Sequence, residues 1–257
     1  MAVVPTDILG INEVNTTTKN QYIITKENKF STLDSFLNQY RVNKGDHCTH
    51  TTIGNFCGGF NIPLEQKSNL IDLIHKSVFI DGQPCHLTER PPEDKKTNLK
   101  VDIDFKFDNI VNERKYNDQH IKQIISLYNR TIKEYLNIND ISLITAFIFE
   151  RYEPYHDKGN CKDGIHIIYP HIICHTDVQH LIRNQILTQI KHIIDSIGCK
   201  NTIEDVIDKS IISTNGWLMY GCSKPVAQPY HLSKILDYEL NNNEEIIYTE
   251  KQLIELL

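Results

Sequence analysis

Asp102 and Asp104 stand two residues apart in the run from Leu99 to Phe107. Leu99, Val101, Ile103, Phe105 and Phe107 alternate there with Lys100, Asp102, Asp104 and Lys106, the period of a half-buried strand. That period puts both carboxylates on one face, one pleat apart. Two acids so placed repel unless something positive sits between them. A hard divalent cation such as Mg²⁺ or Mn²⁺, held by carboxylate oxygens, is the natural candidate. The same pair also fits a solvated strand face with two ordinary acids, because Asp-x-Asp is short and common.

Two further segments carry groups that handle phosphate. In Lys162-Asp163-Gly164-Ile165-His166 a glycine and a histidine open a strand directly after a loop. Glycine lets a phosphate approach the backbone closely, the imidazole can donate to a phosphate oxygen, and Lys162 can reach the same anion. Taken alone, His166 reads as a histidine packed in a sheet. Later, Asp208 precedes Trp217 to Lys224, a strand that ends in a turn at Gly221 and a lysine. Taken alone, these are a surface acid and a surface lysine.

The elements around these residues alternate between strand and helix. A capping pattern, Ser31 with Asp34, precedes Leu33, Phe36, Leu37 and Tyr40 and predicts a first helix. Residues 43–61 hold four glycines and read as loop or hairpin. Pro63 opens a second helix carrying Leu70, Ile71, Leu73 and Ile74, followed by a short strand from Ser77 to Ile80. Helical spacing of apolar residues runs from Asp118 to Leu136. Strands are expected over 141–150 and 164–174, joined by a polar loop. Thr176 and Gln179 form a capping box for a long helix that stops at Gly198. Asp205 to Ser213 and Trp217 to Cys222 read as short strands, and 250–257 as a closing helix. Several strands join through short turns, which favours a mixed α/β (α+β) sheet with flanking helices over a doubly wound parallel one.

The chain has 257 residues, 40% hydrophobic and 23% charged, the composition of a globular protein with a substantial core. No apolar run reaches membrane-spanning length, and residues 1–14 lack the pattern of a signal peptide. Seven scattered cysteines with no C-x-x-C read as reduced thiols of an intracellular protein. The formal charge of −6 argues against a protein that merely coats nucleic acid. Any such contact is local, or runs through a metal and a nucleotide.

Asp-x-Asp on a strand, Gly164-x-His166 opening a later strand, and Asp208 with Gly221-x-x-Lys224 downstream, in that order, resemble the archaeo-eukaryotic primase superfamily. The nearest likeness is to the N-terminal primase domain of the primase-helicases of nucleocytoplasmic large DNA viruses. His86 to Pro91 and Thr49 to Gly54 are similar to segments of the giant-virus members, and the likeness covers roughly residues 45–232.

The resemblance implies a primase-type core with an RRM-like half over 41–235, a leader and helix over 1–40, and a tail over 236–257 leading to a helicase region. It makes Asp102, Asp104 and Asp208 the ligands of two divalent ions, Mg²⁺ or Mn²⁺, with Asp205 the nearby competitor for the third place. Gly164 and His166 then bind the incoming nucleotide's phosphates, with Lys162 and Lys224 as basic partners. The reaction implied is primer synthesis from nucleoside triphosphates on single-stranded DNA, by a primase able to extend as a polymerase, at an intracellular viral replication site. Relatives often carry arginine where Met219 stands, so a phosphate contact is either missing here or supplied from elsewhere, with Arg151 and Arg90 the residues that could substitute. The chain has no Walker-type phosphate loop, so it reads either as an N-terminal part cut at its apolar close, with the helicase region beyond, or as a stand-alone version.

Two alternatives remain at this level. One is a metal-dependent glycosyltransferase using Asp-x-Asp, which leaves His166, Asp208 and Lys224 unexplained. The other is a catalytically inactive, template-holding module of a helicase. His47, Cys48, His50 and Cys57 crowd one segment, but their spacing is not that of a zinc finger. His180, Gln185 and His192 read as a solvated helix face that could line a template.

Overall fold

The structure, a computed structural model, describes residues 32–54, 56–243 and 247–256. The expected leader over 1–30, and Ser31 as helix cap, lie outside these residues. Ten strands among the described residues make two sheets. In chain order they are β1 (Arg41–Val42), β2 (His50–Thr52), β3 (Gly58–Phe60), β4 (Leu87–Glu89), β5 (Lys96–Asp108), β6 (Ala146–Glu150), β7 (Tyr155–Asp157), β8 (Asn160–His175), β9 (Trp217–Leu218) and β10 (His231–Leu236). The smaller sheet runs β1-β3-β2-β4-β9, and the larger runs β10-β6-β8-β5 with β7 folded back on β8. The expected α/β architecture with flanking helices holds. Its strands are divided between two sheets, and every pairing is antiparallel.

The long β5–β8 pair is the spine. Leu99, Val101, Ile103, Phe105 and Phe107 are all buried on one face, as their alternation predicts. Each such side chain contributes about 2 kcal/mol of hydrophobic stabilisation. They pack with the helices α3 (Asp118–Tyr135), α4 (Thr176–Leu187) and α5 (Lys191–Ile197) in one core. A second core joins the small sheet to α1 (Leu33–Gln39), α2 (Lys67–His75) and Ile254 of α8 (Glu250–Leu256). The opposite face of β5, with Lys100, Asp102 and Asp104, turns toward the small sheet.

Several local expectations change. The first helix is capped by Thr32, whose hydroxyl accepts from the Ser35 N–H. The second helix begins at Lys67, after a 3₁₀ turn at Leu64–Gln66, and Lys76–Ile80 continues it as a π-turn instead of a strand. His175 caps α4, and Gln179 leaves the predicted capping box to bond the carbonyls of Thr97 and Asn98. The predicted long helix breaks at 188–190, while Gly198 ends α5 in the left-handed conformation as expected. Asp205 to Ser213 is not a strand. It forms two four-residue helices, Ile203–Val206 (here α6) and Ser210–Ser213 (α7), on either side of a non-helical joint. No helix among the described residues is long and apolar enough to cross a membrane.

Candidate active site

The register of β5 against β8 sets Asp102 opposite His166, Asp104 opposite Gly164 and Lys106 opposite Lys162. Residues paired across a ladder share a face, so two segments about sixty positions apart form one patch. The third acid arrives through the α6–α7 joint. Ile207 makes an isolated antiparallel bridge to Ile103, and the Asp208 N–H donates to the Asp102 carbonyl at 3.0 Å. Buried Arg183 on α4 holds the joint by donating to the carbonyls of Ile207 and Glu204, each at 2.8 Å. Ser210 orients the Asp208 carboxylate, its N–H donating to Oδ1 at 2.8 Å and its hydroxyl to Oδ2 at 2.6 Å. Asp205 is exposed on α6, so the sequence's competitor is placed away from the cluster.

One oxygen from each of Asp102, Asp104 and Asp208 lies within 4.8 Å of the others. Burial, set against the partly compensating charge of Lys224, lifts the Asp102 pKa to about 6. Burial and the neighbouring Asp102 charge do the same for Asp104. The Oδ1 of Asp102 is buried without a hydrogen bond. His166 Nε2 stands 3.4 Å from that oxygen. Burial holds the imidazole well below its ordinary pKa, so it faces the acid as a neutral ring and not as an ion-pair partner. An unsatisfied buried carboxylate oxygen beside two more acids fits a divalent cation. His47, Cys48, His50 and Cys57 form no such cluster among the described residues. His50 is instead buried against Thr49 and held neutral, its pKa pushed down to about 4 by burial.

The acids open into a cavity of about 280 Å³ between the two sheets. Thr51, Thr88 and Leu218 of the small sheet form one wall, and His166, Arg151, Tyr230, Arg90 and Lys224 complete it. Gly164 is required where it stands. A Cβ there would lie 2.5 Å from the Ile103 carbonyl and 2.9 Å from the Tyr230 hydroxyl.

Six of the seven residues singled out from sequence therefore meet: Asp102, Asp104, Asp208, Gly164, His166 and Lys224. Lys162 shares their strand face but lies one pleat farther out. It is tied to Asp157 Oδ2 at 2.5 Å and does not line the cavity. Met219 is buried in the core of the small sheet, so an arginine is not replaced at that point. Arg151 and Arg90 are in the cavity wall. Tyr230 and Trp217 were not anticipated as site residues. Their rings lie 3.6 Å and 4.3 Å from that of His166. Neither carries a sequence signal, because both reach the site through pairings of short strands.

This antiparallel core thus presents an acid cluster to a cavity that Arg90, Arg151 and Lys224 also line. Residues 49–236 match the family described as "C962R protein N-terminal AEP domain", and the chain belongs to that archaeo-eukaryotic primase family. It is 31% identical over 226 residues to "Putative helicase L207/L206" of Acanthamoeba polyphaga mimivirus, a match covering 85% of this chain and 23% of that protein. It is 29% identical over 229 residues to "Putative helicase 184R" of Invertebrate iridescent virus 6, covering 79% of this chain and 22% of that one. The chain thus spans under a quarter of the length of these relatives. Family membership sets aside the glycosyltransferase alternative.

Proposed function

We propose that this chain is a DNA-dependent primase, able to act as a primase-polymerase, that makes primers on single-stranded DNA during viral DNA replication. Residues 41–235 are its catalytic unit. The names of its relatives support a helicase region in the same longer protein, and an intracellular replication site follows from that role. The observation that carries the reading is the convergence of three carboxylates from distant segments, one with an unsatisfied buried oxygen, on a cavity whose other wall is cationic.

Asp102, Asp104 and Asp208 would hold Mg²⁺ or Mn²⁺. Such ions, when bound, lower the pKa of an attacking 3′-hydroxyl and offset charge on the departing pyrophosphate. The rest is done by the chain. Gly164 lets the phosphates lie against the strand. Neutral His166 can donate from Nε2 to a phosphate oxygen once a cation occupies the carboxylates. Lys224 adds a positive charge at the rim. No protein nucleophile is needed.

The test is template-dependent synthesis without added primer, run with ribonucleotides and with deoxynucleotides. Products are expected only with template and a divalent ion. Asp102→Ala and Asp104→Ala should each remove them while the fold is retained. Normal synthesis by either variant, or none by the wild type, would reject the assignment.

A further inference from the structure

We propose that Arg151, carried on the ring of Tyr230, grips the phosphate chain of the nucleotide in the acid cavity. This rests on the nucleotidyl-transfer reading of that site.

Four buried polar atoms of cavity-lining residues lack hydrogen-bond partners: Asp102 Oδ1, Arg151 Nε, Trp217 Nε1 and the Tyr230 hydroxyl. One is an acceptor, and the other three can donate. Leaving such groups unpaired is costly, and most of all for a charged one. Their arrangement describes what satisfies them: a ligand that is anionic toward Arg151 and Tyr230 and carries a cation toward Asp102. A polyphosphate with a divalent ion has that character.

Arg151 is only 3% exposed, yet it is not neutralised by an ion pair among the described residues. Arg114, which pairs with Asp163 and Glu150, reaches only the Arg151 carbonyl, at 2.6 Å. The guanidinium carbon instead lies over Tyr230, 3.8 Å from the ring centroid, and 4.9 Å from that of Tyr155. The other face of that ring stacks on His166 at 23°, and His166 leans on Trp217. These ring contacts hold the guanidinium in place before any ligand arrives. A fixed planar fork suits bidentate phosphate binding, which the ammonium of exposed Lys224 cannot copy. Tyr230 is then a positioning residue for both Arg151 and His166. Its hydroxyl also overhangs Gly164, where a phosphate comes closest to the strand.

Trp217, the single tryptophan of the chain, lines the cavity and gives a direct fluorescence readout. The probes are Mn²⁺ alone, a non-hydrolysable nucleoside triphosphate with Mn²⁺, the matching monophosphate, and inorganic tripolyphosphate. Arg151→Lys should weaken triphosphate and tripolyphosphate binding about tenfold or more, with Mn²⁺ quenching and monophosphate binding near wild type. Tyr230→Leu should copy that loss. Tyr230→Phe keeps the stack and should lose only about threefold. If Arg151→Lys proves unfolded by circular dichroism, Tyr230→Leu against Tyr230→Phe decides alone. Wild-type triphosphate affinity in Arg151→Lys, or equal losses in the two Tyr230 variants, would overturn the proposal. A wild-type protein that takes Mn²⁺ but no triphosphate would instead overturn the nucleotidyl-transfer reading beneath it.

Discussion

Asp102 and Asp104 keep their protons to about pH 6 in the folded chain, whereas an unfolded aspartate releases its proton near 4. Between those values the folded state binds more protons than the unfolded one, so stability falls as pH rises through that window. The metal-free protein is therefore expected to melt at a lower temperature at pH 7.5 than at pH 5, so far as this site contributes. A divalent ion needs the ionised carboxylates, so Mn²⁺ should raise the melting temperature more at pH 7.5 than at pH 5, and a chelator should reverse the gain. Removing the Asp102 charge removes the cost of burying it and, second to that, its repulsion with Asp208. Asp102→Asn should raise the melting temperature of the metal-free protein by several degrees, on the order of 2–4 °C per kcal/mol in a chain of this size. It should also abolish the Mn²⁺ shift, and scanning calorimetry with and without the ion checks both.

The β5–β8 pair works as a ruler. Its antiparallel register decides that His166 and Gly164 face Asp102 and Asp104, and a slip by one residue would turn the site into the helical core. Gly164 is the tightest point of that ruler. Gly164→Ala has no room between the Ile103 carbonyl and the Tyr230 hydroxyl. It should cost about 1–3 kcal/mol by overpacking and push Tyr230 off His166, seen as weaker nucleotide binding beyond the loss in melting temperature. An alanine variant with unchanged nucleotide affinity would show that the close approach is not used. The α6–α7 joint has the matching task for Asp208. The non-helical backbone at Ile207 lets it bridge Ile103, and Arg183 donates to its carbonyl. A regular helix or strand through 203–213 would not offer the same anchor.

In the whole molecule, two antiparallel sheets face each other across the acid cavity, each with its own core and helices. The formal charge of −6 gives the molecule no net attraction for nucleic acid. Single-stranded DNA binding should therefore be weak alone, strengthen with Mn²⁺ and nucleotide, and show a shallow salt dependence, about 0.7 in log–log slope per phosphate contacted. Fluorescence anisotropy of a labelled oligonucleotide across a salt series tests this. A steep slope without metal or nucleotide would point to a broad basic surface that the composition does not supply.

Strict alternation made β5 and its acid face legible in the sequence, and helical spacing did the same for α3, because burial periodicity is written residue by residue. The order of the three motifs, together with family resemblance, was enough to single out seven candidates, six of which the structure brings together. What the sequence by itself could not decide lies between segments. Residues 203–213 are apolar enough for a strand, but tertiary contacts with Ile103 and Arg183 hold them as two short helices. Lys162 has the right face and the wrong partner, since Asp157 on β7 claims it. Met219 turns into the core, while Arg151 and Tyr230 enter the cavity through the pairing of β6 with β10. Local pattern fixes which face a side chain takes. Only the packing of one sheet against the other determines which charges end up sharing a cavity.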